Sequence, residues 1–177
     1  MKDLILVTGG TGYIGSHTVV ELIEAGYEVL IVDNLSNSEA EVVDGIERIT
    51  GVRPTLEVAD CADYDVMKGI FTKHQGIRAA IHFAASKAVG ESVQKPLLYY
   101  RNNLLSLITV MRLLDEFGAK GFVFSSSCTV YGQPDVLPVN ENAPIKPAMS
   151  PYGNTKQVGE EIIRDAAHAG INLRTVI

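Results

Sequence analysis

Cysteine is scarce in this sequence: Cys61 and Cys128 are the only two among 177 residues. That is too few for a disulfide framework and favours a reduced, cytoplasmic setting. The four histidines (His17, His74, His82, His168) are scattered and show no metal-ligand spacing, so no metal is expected. Basic residues are outnumbered, 15 Lys and Arg against 21 Asp and Glu, giving a net charge of −6. This argues against a nucleic-acid role resting on a basic face. Long apolar runs are missing too. The longest candidate, Leu104 to Leu114, is interrupted by Ser106, Thr109 and Arg112, which leaves no membrane span. The N-terminus enters a strand-like run at once and meets Gly9-Gly10, too early for a signal peptide. What is present is 46% hydrophobic residues over a length suited to one domain, residues 1–177.

Short apolar runs alternate with longer helical patterns. Strands are expected at 4–7, 29–32, 55–59, 79–83, 122–125 and 171–177. Helices are expected at 13–25, weakly at 38–49, then at 64–74, 97–117 and 152–169. Continuous apolar strands separated by helices predict an α/β doubly wound parallel sheet of about six strands with helices on both faces. From Gly132 to Pro151 five prolines break the pattern, so this connection is neither helix nor central strand and is expected to order least. The long helix is apolar on more than one side. Leu97, Tyr100, Leu104, Ile108 and Met111 form one stripe, and Leu98, Leu105, Leu113 and Phe117 fall off it. Two readings stand: a central helix flanked by neighbours, or a homodimer through helices 97–117 and 152–169.

The strongest chemical signal is Thr8-Gly9-Gly10-Thr11-Gly12-Tyr13-Ile14-Gly15, directly after the first strand and opening the first helix. Glycines there permit a tight turn, close backbone approach to a pyrophosphate and close helix–strand packing. The helix N-terminus adds free N–H groups and the positive end of its dipole. Asp33 ends the second strand, where a carboxylate can accept from both ribose hydroxyls and repel a 2′-phosphate, which favours NAD over NADP. Asp60, after the third strand, can receive an adenine amino group or remain a solvated loop carboxylate. Phe83-Ala84-Ala85 offers small residues beside a passing cofactor.

The second signal is Tyr152-x-x-x-Lys156, two side chains on one helical face. An ammonium near a phenol favours the phenolate and suits it to general-base work. Ser125-Ser126-Ser127 leave the fifth strand at its carboxyl end, where ligands bind in such sheets. One of these hydroxyls can hold a reacting alcohol oxygen while the tyrosine takes its proton. No G-x-S-x-G elbow supports a hydrolase.

At these residues the chain resembles the extended short-chain dehydrogenase/reductases, in particular their UDP-hexose 4-epimerases. The likeness runs through Val7 to His17, Asp33-Asn34-Leu35, Ile81-His82-Phe83-Ala84, Lys87 to Ser92, and Asn102-Asn103. It continues through Phe124 to Ser127, Thr129 to Gly132, and Ser150 to Gly153 with Lys156. The resemblance implies a Rossmann-like fold. It makes Tyr152 the catalytic base, Ser127 its hydroxyl partner and Lys156 the holder of the nicotinamide ribose. Gly9, Gly12, Tyr13, Ile14 and Gly15 would line the pyrophosphate. Asp33, Asn34, Asn37 and Ser38 would hold the adenosine ribose and nearby phosphates, with Asp60 and Cys61 at the adenine. Phe83, Ala84, Lys87 and Asn102 would complete the groove, supported by Ser126, and Thr129 would lie near the substrate sugar.

The implied reaction interconverts UDP-glucose and UDP-galactose: hydride leaves sugar C4 for tightly held NAD, and the 4-keto sugar turns and takes it back on the other face. Related 4,6-dehydratases carry an Asp-Glu pair where this chain has Cys128 and Thr129, which disfavours dehydration. The same resemblance implies a further C-terminal, sugar-binding domain that is absent here, so the chain alone is not expected to turn over. Two rivals stand beside this reading: an NAD-binding module without catalysis, and an epimerase of another UDP-sugar.

Overall fold

The apolar runs pair into one parallel sheet. The structure, a computed structural model, describes residues 2–171 and 173–177. Its strands are β1 (Leu4–Thr8), β2 (Glu28–Asp33), β3 (Thr55–Val58), β4 (Ile77–His82), β5 (Gly121–Phe124) and β6 (Arg174–Val176). Its helices are α1 (Tyr13–Glu24), α2 (Val42–Thr50), α3 (Tyr64–Lys73), α4 (Val89–Gln94), α5 (Pro96–Glu116) and α6 (Pro151–His168). A 3₁₀ turn spans Cys128–Tyr131. The strand order is β3-β2-β1-β4-β5-β6 with every pair parallel, the doubly wound Rossmann order. The connections diverge at β1 and β4, which opens a crevice above their carboxyl ends.

Successive strand residues face opposite layers. Leu6, Leu30, Ala80, Phe122 and Phe124 pack with Met67 and Phe71 of α3, Leu107 and Leu114 of α5, and Ile163 of α6. Ile5, Val7, Val29 and Ile31 pack with Val19 and Ile23 of α1 and with Val43 and Ile46 of α2. Burial on both faces is why these strands read as unbroken apolar runs. Beyond β4 the second layer thins, and Val123 and Val176 are exposed there.

Some elements depart from expectation. The helix after β2 starts at Val42, later than 38, because Glu39–Glu41 form single turns first. The short α4 and the 3₁₀ turn carry no periodic signal. The last strand is shorter than 171–177, and Asn172 of that expectation lies outside the described residues.

The stripe read on α5 is divided between the interior and the surface. Its buried face is Tyr99, Asn103, Ser106, Leu107, Val110, Met111, Leu113 and Leu114, whereas Leu97 and Ile108 are exposed. The physical reason is that the amino-terminal half of α5 lies against a polar layer, so apolarity does not mark its inner face. No helix among the described residues is long and apolar enough to cross a membrane.

Candidate functional site

Only residues 9–12 separate β1 from α1, so the backbone must turn sharply. Gly9 takes φ +71°, and a Cβ on it would lie 2.7 Å from the Ala84 amide nitrogen. A Cβ on Gly15 would strike the Gly9 carbonyl oxygen. The glycines therefore leave bare backbone pressed against the exit of β4. Gly12 caps α1 without a side-chain hydrogen bond, and no acidic residue occupies the first turn. The first-turn amides and the helix dipole are left to an anion.

Asp33, 7% exposed, is fixed beside this turn. Its Oδ2 accepts from Thr11 N at 3.2 Å, and its Oδ1 accepts from Leu35 N at 3.0 Å and Ser38 Oγ at 3.2 Å. Oδ2 thus keeps accepting capacity for a ligand hydroxyl. Cys61 is buried, and its thiol is pushed up to about 12, first by burial and then by the carboxylates of Asp60 and Asp33. It packs beside the crevice as an unreactive thiol.

The far end of the crevice is built by α6. Ser150 caps it, accepting from Gly153 N at 3.1 Å, and Pro151 occupies its first turn. Tyr152 follows, with Lys156 one turn on. Gly153 lets α6 approach the 3₁₀ turn closely, since a Cβ there would lie 3.3 Å from Thr129 Cβ. Ser127 caps that turn, and its Oγ accepts from Thr129 N at 3.3 Å and Thr129 Oγ1 at 3.0 Å. Its own O–H is left to donate. Lys156 Nζ donates to Ser125 O at 2.7 Å and lies 4.6 Å from the centre of the Phe124 ring. Burial lowers its ammonium to about 8.

These parts enclose one cleft of about 380 Å³, the size of a small-molecule site. From the turn it is lined by Gly9, Gly12, Tyr13, Ile14 and Gly15, and beyond β2 and β3 by Asp33, Asn34, Asn37, Asp60 and Cys61. Beyond β4 come Phe83, Ala84 and Lys87, with Asn102 from α5. At the far end are Ser126, Ser127, Tyr152 and Lys156.

Two expected residues stand outside this lining. Ser38 sits behind Asp33, bonded to it and to Thr11 Oγ1 at 2.8 Å. Thr129 turns its hydroxyl onto Ser127. Ser36, Ala59, Ser86 and Ser106 also line the cleft and were not expected there. Only Ser106 left a trace in the sequence, as a polar break in an apolar helix.

The residues fit a dinucleotide: bare backbone for a diphosphate, a fixed carboxylate for a ribose at one end, and hydroxyl, phenol and ammonium groups at the other. The comparisons with known proteins agree. Residues 5–177 match the model of the NAD dependent epimerase/dehydratase family. The UDP-glucose 4-epimerase of Bacillus subtilis (strain 168) is 50% identical over 161 residues, 91% of this chain and 47% of that protein. The UDP-glucose 4-epimerase of Dictyostelium discoideum is 50% identical over 165 residues, 93% of this chain and 47% of its own length. The chain thus spans about half the length of the curated relatives it matches.

Among solved structures, the Stenotrophomonas maltophila UDP-glucose-4-epimerase with bound NAD and formylated UDP-arabinopyranose superposes with TM-score 0.91. It is 47% identical, covering 97% of this chain and 50% of that one. The Bifidobacterium longum UDP-glucose 4-epimerase, in complex with NAD+ and UDP, gives TM-score 0.93 at 41% identity, covering 97% of this chain and 51% of that one.

Proposed function

The chain belongs to the NAD dependent epimerase/dehydratase family, and from that premise we propose that it is the cofactor-binding and proton-transfer half of a UDP-hexose 4-epimerase. One observation carries the reading: the glycine turn with Asp33 and the Ser127, Tyr152 and Lys156 set line a single cleft. NAD bound there would supply a hydride acceptor and donor for sugar C4.

The protein's own residues do the rest. The amides opening α1 hold the diphosphate, and Asp33 Oδ2 accepts from the adenosine ribose. Tyr152 takes the proton of the C4 hydroxyl and later returns it. Ser127, its lone pairs engaged by Thr129, donates to that same oxygen and holds it towards Tyr152. Lys156 keeps positive charge on the face of α6 that Tyr152 shares, anchored at the Ser125 carbonyl. Cys128 and Thr129 stand where dehydration would need carboxylates, which supports epimerisation.

We assign UDP-glucose and UDP-galactose as the sugar pair, a soluble cytoplasmic setting, and a homodimer. The dimer rests on α5, whose outer face exposes Leu97, Leu105 and Ile108. The outer face of α6 carries Glu161, Arg164, Asp165 and His168 and would add polar contacts to that interface.

A graft of residues 1–177 onto the C-terminal half of the Bacillus subtilis relative tests the reading. It should bind NAD and convert UDP-galactose to UDP-glucose. NAD binding without any conversion would favour the second reading, a nucleotide-binding module without catalysis, which the half-length match to the relatives keeps in play.

A further inference from the structure

Gln157 of α6 is a residue that the mechanism above does not use. It is half-buried, one position beyond Lys156. Its Nε2 donates to Val130 O at 2.7 Å and to Lys146 O at 2.6 Å. Both amide hydrogens are thereby used, one on each carbonyl. Turned over, the carboxamide would set its own oxygen against those two oxygens, so the acceptors fix which way it points.

The two carbonyls belong to opposite sides of one loop neck. Val130 lies in the turn that Ser127 caps, just before the chain leaves into residues 132–150. Lys146 lies where that segment returns towards Ser150, the cap of α6. The neck is also closed at Gly132, which takes φ +61°; a Cβ there would lie 2.5 Å from Pro147 O and 3.1 Å from Lys146 O. Lys146 pairs with Asp135 across the same loop. The proline-rich connection is therefore a loop with touching ends, and Gln157 fastens both ends to α6.

The turn at this neck carries the hydroxyl assigned to the sugar oxygen. One side of it packs on α6 where Gly153 meets Thr129, and the other hangs from Gln157 through Val130 O. Within the turn, Val130 N donates to Ser127 O at 3.1 Å and Gly132 N to Thr129 O at 3.2 Å. Resting on the reading of the cleft given above, we propose that Gln157 is a positioning residue. By holding Val130 and Lys146 to α6, it sets where Ser127 stands relative to Tyr152. Gln157, Val130 and Lys146 all stand outside the cleft lining, so the effect reaches the sugar only through the turn. A misplacement of about 1 Å near reacting groups can cost about 100-fold in rate.

The test combines amide hydrogen exchange on the 177-residue chain with kinetics of the graft onto the Bacillus subtilis half. Gln157→Met, close in size but without donors, should speed exchange at the Val130 and Gly132 amides at least tenfold. In the graft it should lower kcat for UDP-galactose at least tenfold while NAD affinity stays within about twofold. Gln157→Glu, which sets a carboxylate against the two carbonyls, should do the same. Gln157→Lys restores a donor to them and should keep exchange and kcat within about threefold of wild type.

Wild-type protection at Val130 and Gly132 in Gln157→Met would overturn the proposal. Faster exchange with unchanged kcat would do so too, by making the clamp merely structural, as would matching behaviour of Gln157→Met and Gln157→Lys. An unsubstituted graft that binds NAD yet converts no sugar would instead sink the reading of the cleft, while exchange on the 177-residue chain still judges the clamp.

Discussion

At the residue scale, the same helical turn carries two groups with different demands. In the proposed reaction Tyr152 exchanges a proton with the sugar, whereas Lys156 is packed away at 4% exposure against Phe124 and the Ser125 carbonyl. Tyr152→Phe in the grafted enzyme should therefore keep NAD affinity within about twofold and lose about 10²- to 10⁴-fold in kcat. Undiminished turnover would remove the phenol from the mechanism. His82 gives a prediction that needs no substrate. Its imidazole is held down to about 3, first by burial and then by the charge of Lys156. Below the unfolded value near 6.5 the denatured chain binds a proton that the native chain does not, so stability falls as pH falls through this window. The slope should approach about 1.4 kcal/mol per pH unit and level off below about 3. Urea unfolding at pH 7, 6 and 5 should show a shallower fall in His82→Asn than in the wild type; parallel curves would show that His82 titrates normally.

At the scale of elements, local rules account for most of the site. The turn needs Gly15 because α1 passes against the Gly9 carbonyl, so Gly15→Val should force the two apart. It should abolish detectable NAD binding while leaving a cooperative unfolding transition; retained affinity would count against the close packing. The start of α6 was legible to within one residue: the helix expected from 152 begins at Pro151, a residue already bent for a first turn, and the structure adds Ser150 as its cap. The face of α5 was not. Leu97 and Ile108 belong to the apolar stripe of the sequence yet lie exposed, while Asn103 and Ser106 lie inside, because the packed neighbour is polar there. That outward apolar face yields a further prediction: Leu105→Lys with Ile108→Lys should convert a sedimenting dimer to a monomer with unchanged NAD affinity. A monomeric wild type would remove α5 as an interface.

At the scale of the whole molecule, two layers of unequal extent cover the sheet. The layer of α3, α5 and α6 reaches β5, whereas the layer of α1 and α2 leaves Val123 and Val176 exposed. Adjacent apolar residues at the β5–β6 edge invite association. Val123→Thr with Val176→Thr should lower concentration-dependent light scattering of the 177-residue chain, and scattering that does not change would place the association elsewhere.

What the sequence determined by itself was local or strictly periodic: six apolar runs, the glycine turn with Asp33 at the end of the next strand, the helix 152–169, and Tyr152 with Lys156 on one face. Chain geometry over a few residues fixes each of these. Tertiary structure alone decided which polar residues go inside. Asn103 meets Ser86 and Thr155, and His82 meets Thr8 and Ser106, pairs brought together only when β1 pairs with β4 and when α5 and α6 pack on the sheet. Ser38 and Thr129 teach the same point: their hydroxyls serve Asp33 and Ser127. A hydroxyl or amide becomes structural or ligand-facing according to the partner that packing brings within about 3 Å, and no local pattern in the chain encodes that partner.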